Sequence, residues 1–169
     1  MKIKYTGHSL IEVIVVLLLI AISLSAIVST NLTANKLTVN VLVLSEVISV
    51  TDSIASTMRN NSSELVDSKS RYLAVLTPNY QSSFACKASK RCQYQQQAIE
   101  DLKSWKKQFD NLFVDYLVVI CRDLTPSDGQ YNSSDGCDNL QKSPIAIKVW
   151  WLKKGSQRQY QNYHRNVSL

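Results

Sequence analysis

From Leu10 to Val28 the chain runs for 19 residues with one charged side chain, Glu12. That length suits a helix crossing a hydrocarbon core about 30 Å thick. Lys2 and Lys4 precede the run, which predicts a cytoplasmic N-terminal side and an exported remainder. Glu12 is the anomaly. A carboxylate inside an apolar span costs about 2.5–3.5 kcal/mol on insertion scales, and such a residue reads as functional by default. A cleaved secretory signal would need a small-residue site after the run, and Ala21, Ser23, Ser25 and Ala26 offer one. A plain anchor accounts for the length and leaves Glu12 unexplained.

Neither glycine nor proline occurs from His8 to Thr77, so nothing in the sequence interrupts a long helix. Beyond the apolar run, Leu37, Val41, Leu44, Ile48, Ala55 and Met58 recur at helical spacing, with Thr51 in the gap. The expectation is one helix from about Ser9 to Arg59, roughly 75 Å long at 1.5 Å per residue. Its second half carries one stripe that packs on its own domain. Asn60 to Ser63 should end it. A short strand is expected at Tyr72 to Leu76, a second amphipathic helix at Tyr94 to Asn111, and strands at Tyr116 to Cys121, Ile145 to Leu152 and Gln159 to Val167. The predicted fold class is α+β: a long N-terminal helix on a small, mostly antiparallel sheet with an inserted helix. The expected division is 1–7 as a leader, 8–29 as the transmembrane half of the helix, and 30–169 as an exported globular domain.

Four cysteines on an exported segment point to an oxidising compartment and two disulfides, with three possible pairings. Short separations favour local closure as Cys86–Cys92 and Cys121–Cys137. The net charge of +6 is too mild to argue for nucleic acid by itself. Lys87, Lys90 and Arg91 form one basic cluster. Lys148, Lys153, Lys154 and Arg158 form another, near Trp150, Trp151, Tyr160 and Tyr163. Solvated strand edges carrying lysine explain these more simply than DNA contact, so DNA is not expected as a partner. Trp150 and Trp151 face opposite sides of a strand, so one should be core and the other exposed or at a subunit contact. His8 and His164 have no accompanying base and nucleophile, and no metal-ligand spacing is present. An enzyme, a metal and a cofactor are therefore not expected.

The N-terminal order is basic residues, Gly7, His8, then SLIEV from Ser9 to Val13, then the apolar run. It resembles the class III signal of type IV pilins and pseudopilins, although His8 stands where that superfamily has phenylalanine. The second half is similar to the PilV minor pilins, the type IV pilus modification proteins. The resemblance rests on Cys86, Cys92, the run AIEDLKSW from Ala98 to Trp105, ICRD from Ile120 to Asp123, Cys137, and IKVWW from Ile147 to Trp151. The resemblance implies a type IV pilin fold. It further implies cleavage after Gly7 by a prepilin peptidase, N-methylation of His8, and pairing of Glu12 with the terminal amine of a neighbouring subunit. The partners it implies are other minor pilins, the major pilin, and inner-membrane lipid before assembly. The implied role is priming a type IV pilus at or near its tip, from a single-pass inner-membrane precursor with a periplasmic domain. A pseudopilin of type II secretion shares the leader and is the alternative.

N-terminal sequencing of the mature protein should begin at His8, with or without a methyl group. A start downstream of Ala26 contradicts the pilin resemblance.

Overall fold

A computed structural model describes residues 8–67, 69–82, 93–152 and 159–167. Helix α1 spans His8–Asn60, one residue beyond the expected helix at each end. Two compact units are present, Met1–Ser45 and Glu46–Leu169.

In the first unit, most of the apolar side chains along α1 are exposed. Large hydrophobic residues from Leu10 to Val28 lie between 48% exposed, at Val15, and 69%, at Leu10. This helix is long and apolar enough to cross a membrane. Its hydroxyls are satisfied internally. Ser23 Oγ donates to Leu19 O (2.8 Å), Ser25 Oγ to Ala21 O (2.8 Å) and Thr30 Oγ1 to Ala26 O (2.9 Å). Each donates to the carbonyl four residues back, so none of the three hydroxyls needs water as an acceptor.

In the second unit, four antiparallel strands form one sheet in the order β1 (Ala74–Leu76), β2 (Tyr116–Arg122), β3 (Ile145–Leu152), β4 (Tyr160–Val167). The two central strands are almost wholly buried. Strand alternation sorts their side chains between two faces. One face carries Tyr116, Val118, Ile120, Ile145, Ile147, Val149 and Trp151. The other carries Leu117, Val119, Cys121, Ala146, Lys148 and Trp150. The Glu46–Asn60 stretch of α1 packs on the sheet, and its Asp52 ion-pairs with Arg165 of β4.

Helix α3 (Tyr94–Leu112) buries Ala98, Leu102, Trp105 and Phe109, as its period predicts. Trp105 stacks on Tyr72 (5.4 Å between ring centroids), Phe109 on Tyr116 (5.5 Å), and Phe113, just past the helix, on Trp151 (5.7 Å). Asn61 clasps these parts together. Its Nδ2 donates to Tyr72 Oη (3.1 Å) and Tyr94 O (2.8 Å), and Tyr72 Oη donates to Asp101 Oδ2 (2.6 Å). Short helix α2 (Ser62–Val66) is tied to β2 by Arg122, whose Nη2 donates to Leu65 O (3.0 Å).

Two expectations change. The apolar stripe of α1 starts later and is wider than expected: Thr51, Ala55 and Met58 are buried as expected, Val47, Val50 and Ile54 join them, and Leu37, Val41 and Leu44 are exposed. The expected stripe drew on apolar residues before Glu46, and these are mostly exposed. The tryptophans also differ from the expected split, because Trp150 (4%) and Trp151 (2%) are both buried. Trp150 lies under the 123–137 segment, packed with Val119, Cys121, Leu117, Tyr131 and Cys137.

Ile54→Ala should lower unfolding free energy by about 2–5 kcal/mol in detergent micelles. Leu37→Ala should stay within about 0.5 kcal/mol. Equal losses in denaturant titrations would show that the Leu37 face is packed as well.

Candidate functional site

Two places concentrate the chemistry: Glu12 on the uncovered part of α1, and the loop that covers the second face of the sheet.

Glu12 is exposed within the first turns of α1, and Leu10, Ile11, Val13, Ile14, Val15 and Val16 around it are all apolar and exposed. Among the described residues no cation forms an ion pair with it. His8 opens the helix. Gly7, Cys86 and Cys92, and with them the expected cut and the expected Cys86–Cys92 bridge, lie outside the described residues.

The loop between β2 and β3 is fastened covalently. Cys121, on β2, is bonded to Cys137 (Cα–Cα 6.1 Å). It is also fastened by a buried ion. Lys148, in the middle of β3, is 1% exposed, and its Nζ lies 2.5 Å from Asp123 Oδ2 and 2.9 Å from Asp128 Oδ1. The same ammonium reaches three carbonyls of the loop, Gly136 O at 2.8 Å, Asp135 O at 3.0 Å and Asp128 O at 3.3 Å. Lys148 is therefore no part of a solvated basic edge, because both neighbouring strands flank it and the loop caps it.

Two glycines let the carbonyls converge. Gly129 (φ +98°) and Gly136 (φ +62°) occupy backbone regions that side chains disfavour. A Cβ on Gly129 would sit 2.7 Å from Asp135 O, and one on Gly136 would strike Asp128 Oδ1 and the Gly129 nitrogen. Asp123 Oδ1 accepts from Thr125 N (3.0 Å), and Asp128 Oδ2 accepts from Thr125 Oγ1 (2.9 Å).

The charges hold one another. Burial alone would raise the Asp123 carboxyl, but hydrogen bonds from Lys148 and Thr125 and the ammonium charge keep it below the usual carboxylate range. Hydrogen bonds from Lys148 and Thr125 hold Asp128 low as well. Burial would lower Lys148; its bonds to Asp123 and Asp128 outweigh that and raise it.

A second anchor lies at the far end of β4. Tyr131, from the loop, stacks on Tyr160 (3.6 Å between centroids), and the two hydroxyls donate to opposite oxygens of Asp115 (2.9 and 2.5 Å).

The disulfide, the buried ion pair and the tyrosine pair fasten the loop to the sheet at three points. Among the described residues no three side chains of His, Cys, Asp or Glu gather as metal ligands. A cavity of about 430 Å³ beside α3 is lined by Lys69, Arg71, Tyr80 and Ser82 over Leu73 and Leu102. His164 is exposed on β4. The sequence reading missed Asp123, Asp128 and Lys148 as a unit. The available signal was a lysine at the centre of an alternating apolar strand, with two aspartates inside a cysteine-bounded loop. No protein-family model, curated protein or solved structure matches the chain.

Lys148→Met should cost about 3–5 kcal/mol, because it leaves the Asp123 carboxylate buried without its partner. The pH dependence has a definite sign. Asp123 has a lowered folded-state value, so its contribution is complete above the ordinary carboxylate value of about 3.9 and is lost as pH falls through the folded-state value. Lys148 has a raised one, so its contribution is complete below about 10.4 and is lost only as pH rises further. The gap in thermal stability between wild type and variant should therefore be widest from neutral to mildly alkaline pH and narrow steadily in acid, because the unpaired Asp123 of the variant is protonated first and the paired Asp123 of the wild type last. A gap that widens in acid contradicts this assignment.

Proposed function

We propose that this chain is a minor pilin of the type IV pilin superfamily, most similar to the PilV group, and that it takes part in priming a type IV pilus at or near the tip. The observation that carries the reading is α1. Its apolar first part is exposed and holds one acid, Glu12, and the same helix runs on to supply core residues of an α+β domain.

Such a helix has two successive environments in the proposal. In the inner membrane, lipid covers the exposed apolar residues, Lys2 and Lys4 stay cytoplasmic, and the C-terminal domain lies in the periplasm. In the filament, helices of the major pilin and other minor pilins replace the lipid. A prepilin peptidase cuts after Gly7 and methylates His8, and the new α-amine is the cation that Glu12 lacks. Pairing across subunits relieves the desolvation of an uncompensated carboxylate, and it sets the axial register because it joins one fixed point on each helix. The proposed fold is that of type IV pilins, and the loop held by Cys121–Cys137 and Lys148 is a rigid part of the exported surface.

The test is Glu12→Ala with the leader intact. Cleavage and membrane insertion should be normal, while incorporation into sheared pili drops severely and surface pili become fewer. Wild-type incorporation of the variant contradicts a recruiting role for Glu12. Normal pili combined with a loss of protein secretion would favour the pseudopilin alternative.

A further inference from the structure

We infer that the loop from Asp123 to Gly136 is built as a calcium-type cation site whose cation is the chain's own Lys148 ammonium. Five oxygens surround Nζ, at 2.5 Å (Asp123 Oδ2), 2.8 Å (Gly136 O), 2.9 Å (Asp128 Oδ1), 3.0 Å (Asp135 O) and 3.3 Å (Asp128 O). An ammonium has three N–H donors. Five oxygens exceed what three directed hydrogen bonds require, so the packing resembles coordination around a charge. The donor set is two carboxylates and three peptide carbonyls, all hard oxygens, which is the ligand class that calcium takes from protein loops. The positive-φ glycines, Gly129 and Gly136, turn the backbone so that carbonyls from two separate stretches converge.

Supplying the cation from β3 has two consequences. The loop becomes independent of the divalent ions around an exported protein. The loop is also joined to the sheet, since Lys148 is paired with Val119 of β2 and His164 of β4 in the strand register. A free ion would close the loop on itself without making that link. The inference rests on this geometry alone and is independent of the pilus reading.

The experiment uses the full-length protein in detergent micelles and compares thermal unfolding in EDTA and in millimolar calcium. Wild type should show the same melting temperature in both. Lys148→Ala removes the ammonium and opens space among the five oxygens; in EDTA it should melt about 10 °C lower. Calcium should restore most of that loss. Magnesium should restore much less, because it demands near-octahedral ligands at about 2.0–2.1 Å where calcium accepts about 2.3–2.6 Å. Lys148→Met keeps an apolar group at the centre and should not respond to calcium. Lys148→Ala combined with Asp128→Asn should lose the calcium response. If Lys148→Ala does not fold in EDTA, its refolding yield with and without calcium is the equivalent readout. A wild type stabilised by calcium, or a Lys148→Ala protein indifferent to it, overturns the inference.

Discussion

Strand β3 is buried on both faces, and the rest of the globular unit is arranged to meet that demand. One face is covered by apolar side chains, with Trp151 and Val149 packed among the aromatic residues of α3 and its flanks. The other face holds Trp150 and, two residues away, Lys148. No helix covers that side among the described residues. A loop does, and a loop has few apolar groups and many polar backbone groups to satisfy. The Lys148 ammonium resolves both problems at once, because it accepts burial only if oxygens surround it, and the loop needs a partner for converging carbonyls and two aspartates. The disulfide between Cys121 and Cys137 then holds the loop's end beside the same strand. Removing the ammonium would leave like charges and peptide dipoles facing one another over an apolar face.

The elements with strong periodicity were readable from the amino-acid sequence, and those defined by contacts across the chain were not. Helix α3 and strand β3 fall where their patterns put them, since 3.6-residue and two-residue repeats are local properties. The Cys121–Cys137 pair also followed from chain proximity. The start and width of the buried stripe on α1 did not. Apolar residues on either side of Ser45 are indistinguishable by composition, and only the partner domain decides that Val47, Val50 and Ile54 are buried while Leu37 and Val41 are not. Lys148 was misread for a related reason. A lysine near Lys153 and Lys154 suggests a basic edge, and nothing local reveals that Asp123 and Asp128 fold over it. Trp150 was misread together with Lys148, because the same loop covers both.

Of the candidate sites, Glu12 was legible because a charge in an apolar run stands out without any knowledge of tertiary structure. Its partner was not, because no cation within the described chain reaches it. That asymmetry separates the two halves of the molecule. In the globular unit the buried Lys148 ammonium has carboxylate partners in Asp123 and Asp128. The first part of α1 carries an exposed charge and a broad exposed apolar surface. In the proposed role, lipid covers this surface first and complementary helices replace it.

The central claim is that the uncovered part of α1 exchanges lipid for other pilin helices. A photo-crosslinking amino acid placed at Leu17, which is 60% exposed, tests it in piliated cells. The expected result is adducts with other pilin subunits that vanish when the pilus assembly motor is disabled, while the protein itself stays in the membrane. Adducts that remain unchanged without the motor, or a chain recovered as a soluble species released from α1, would contradict it.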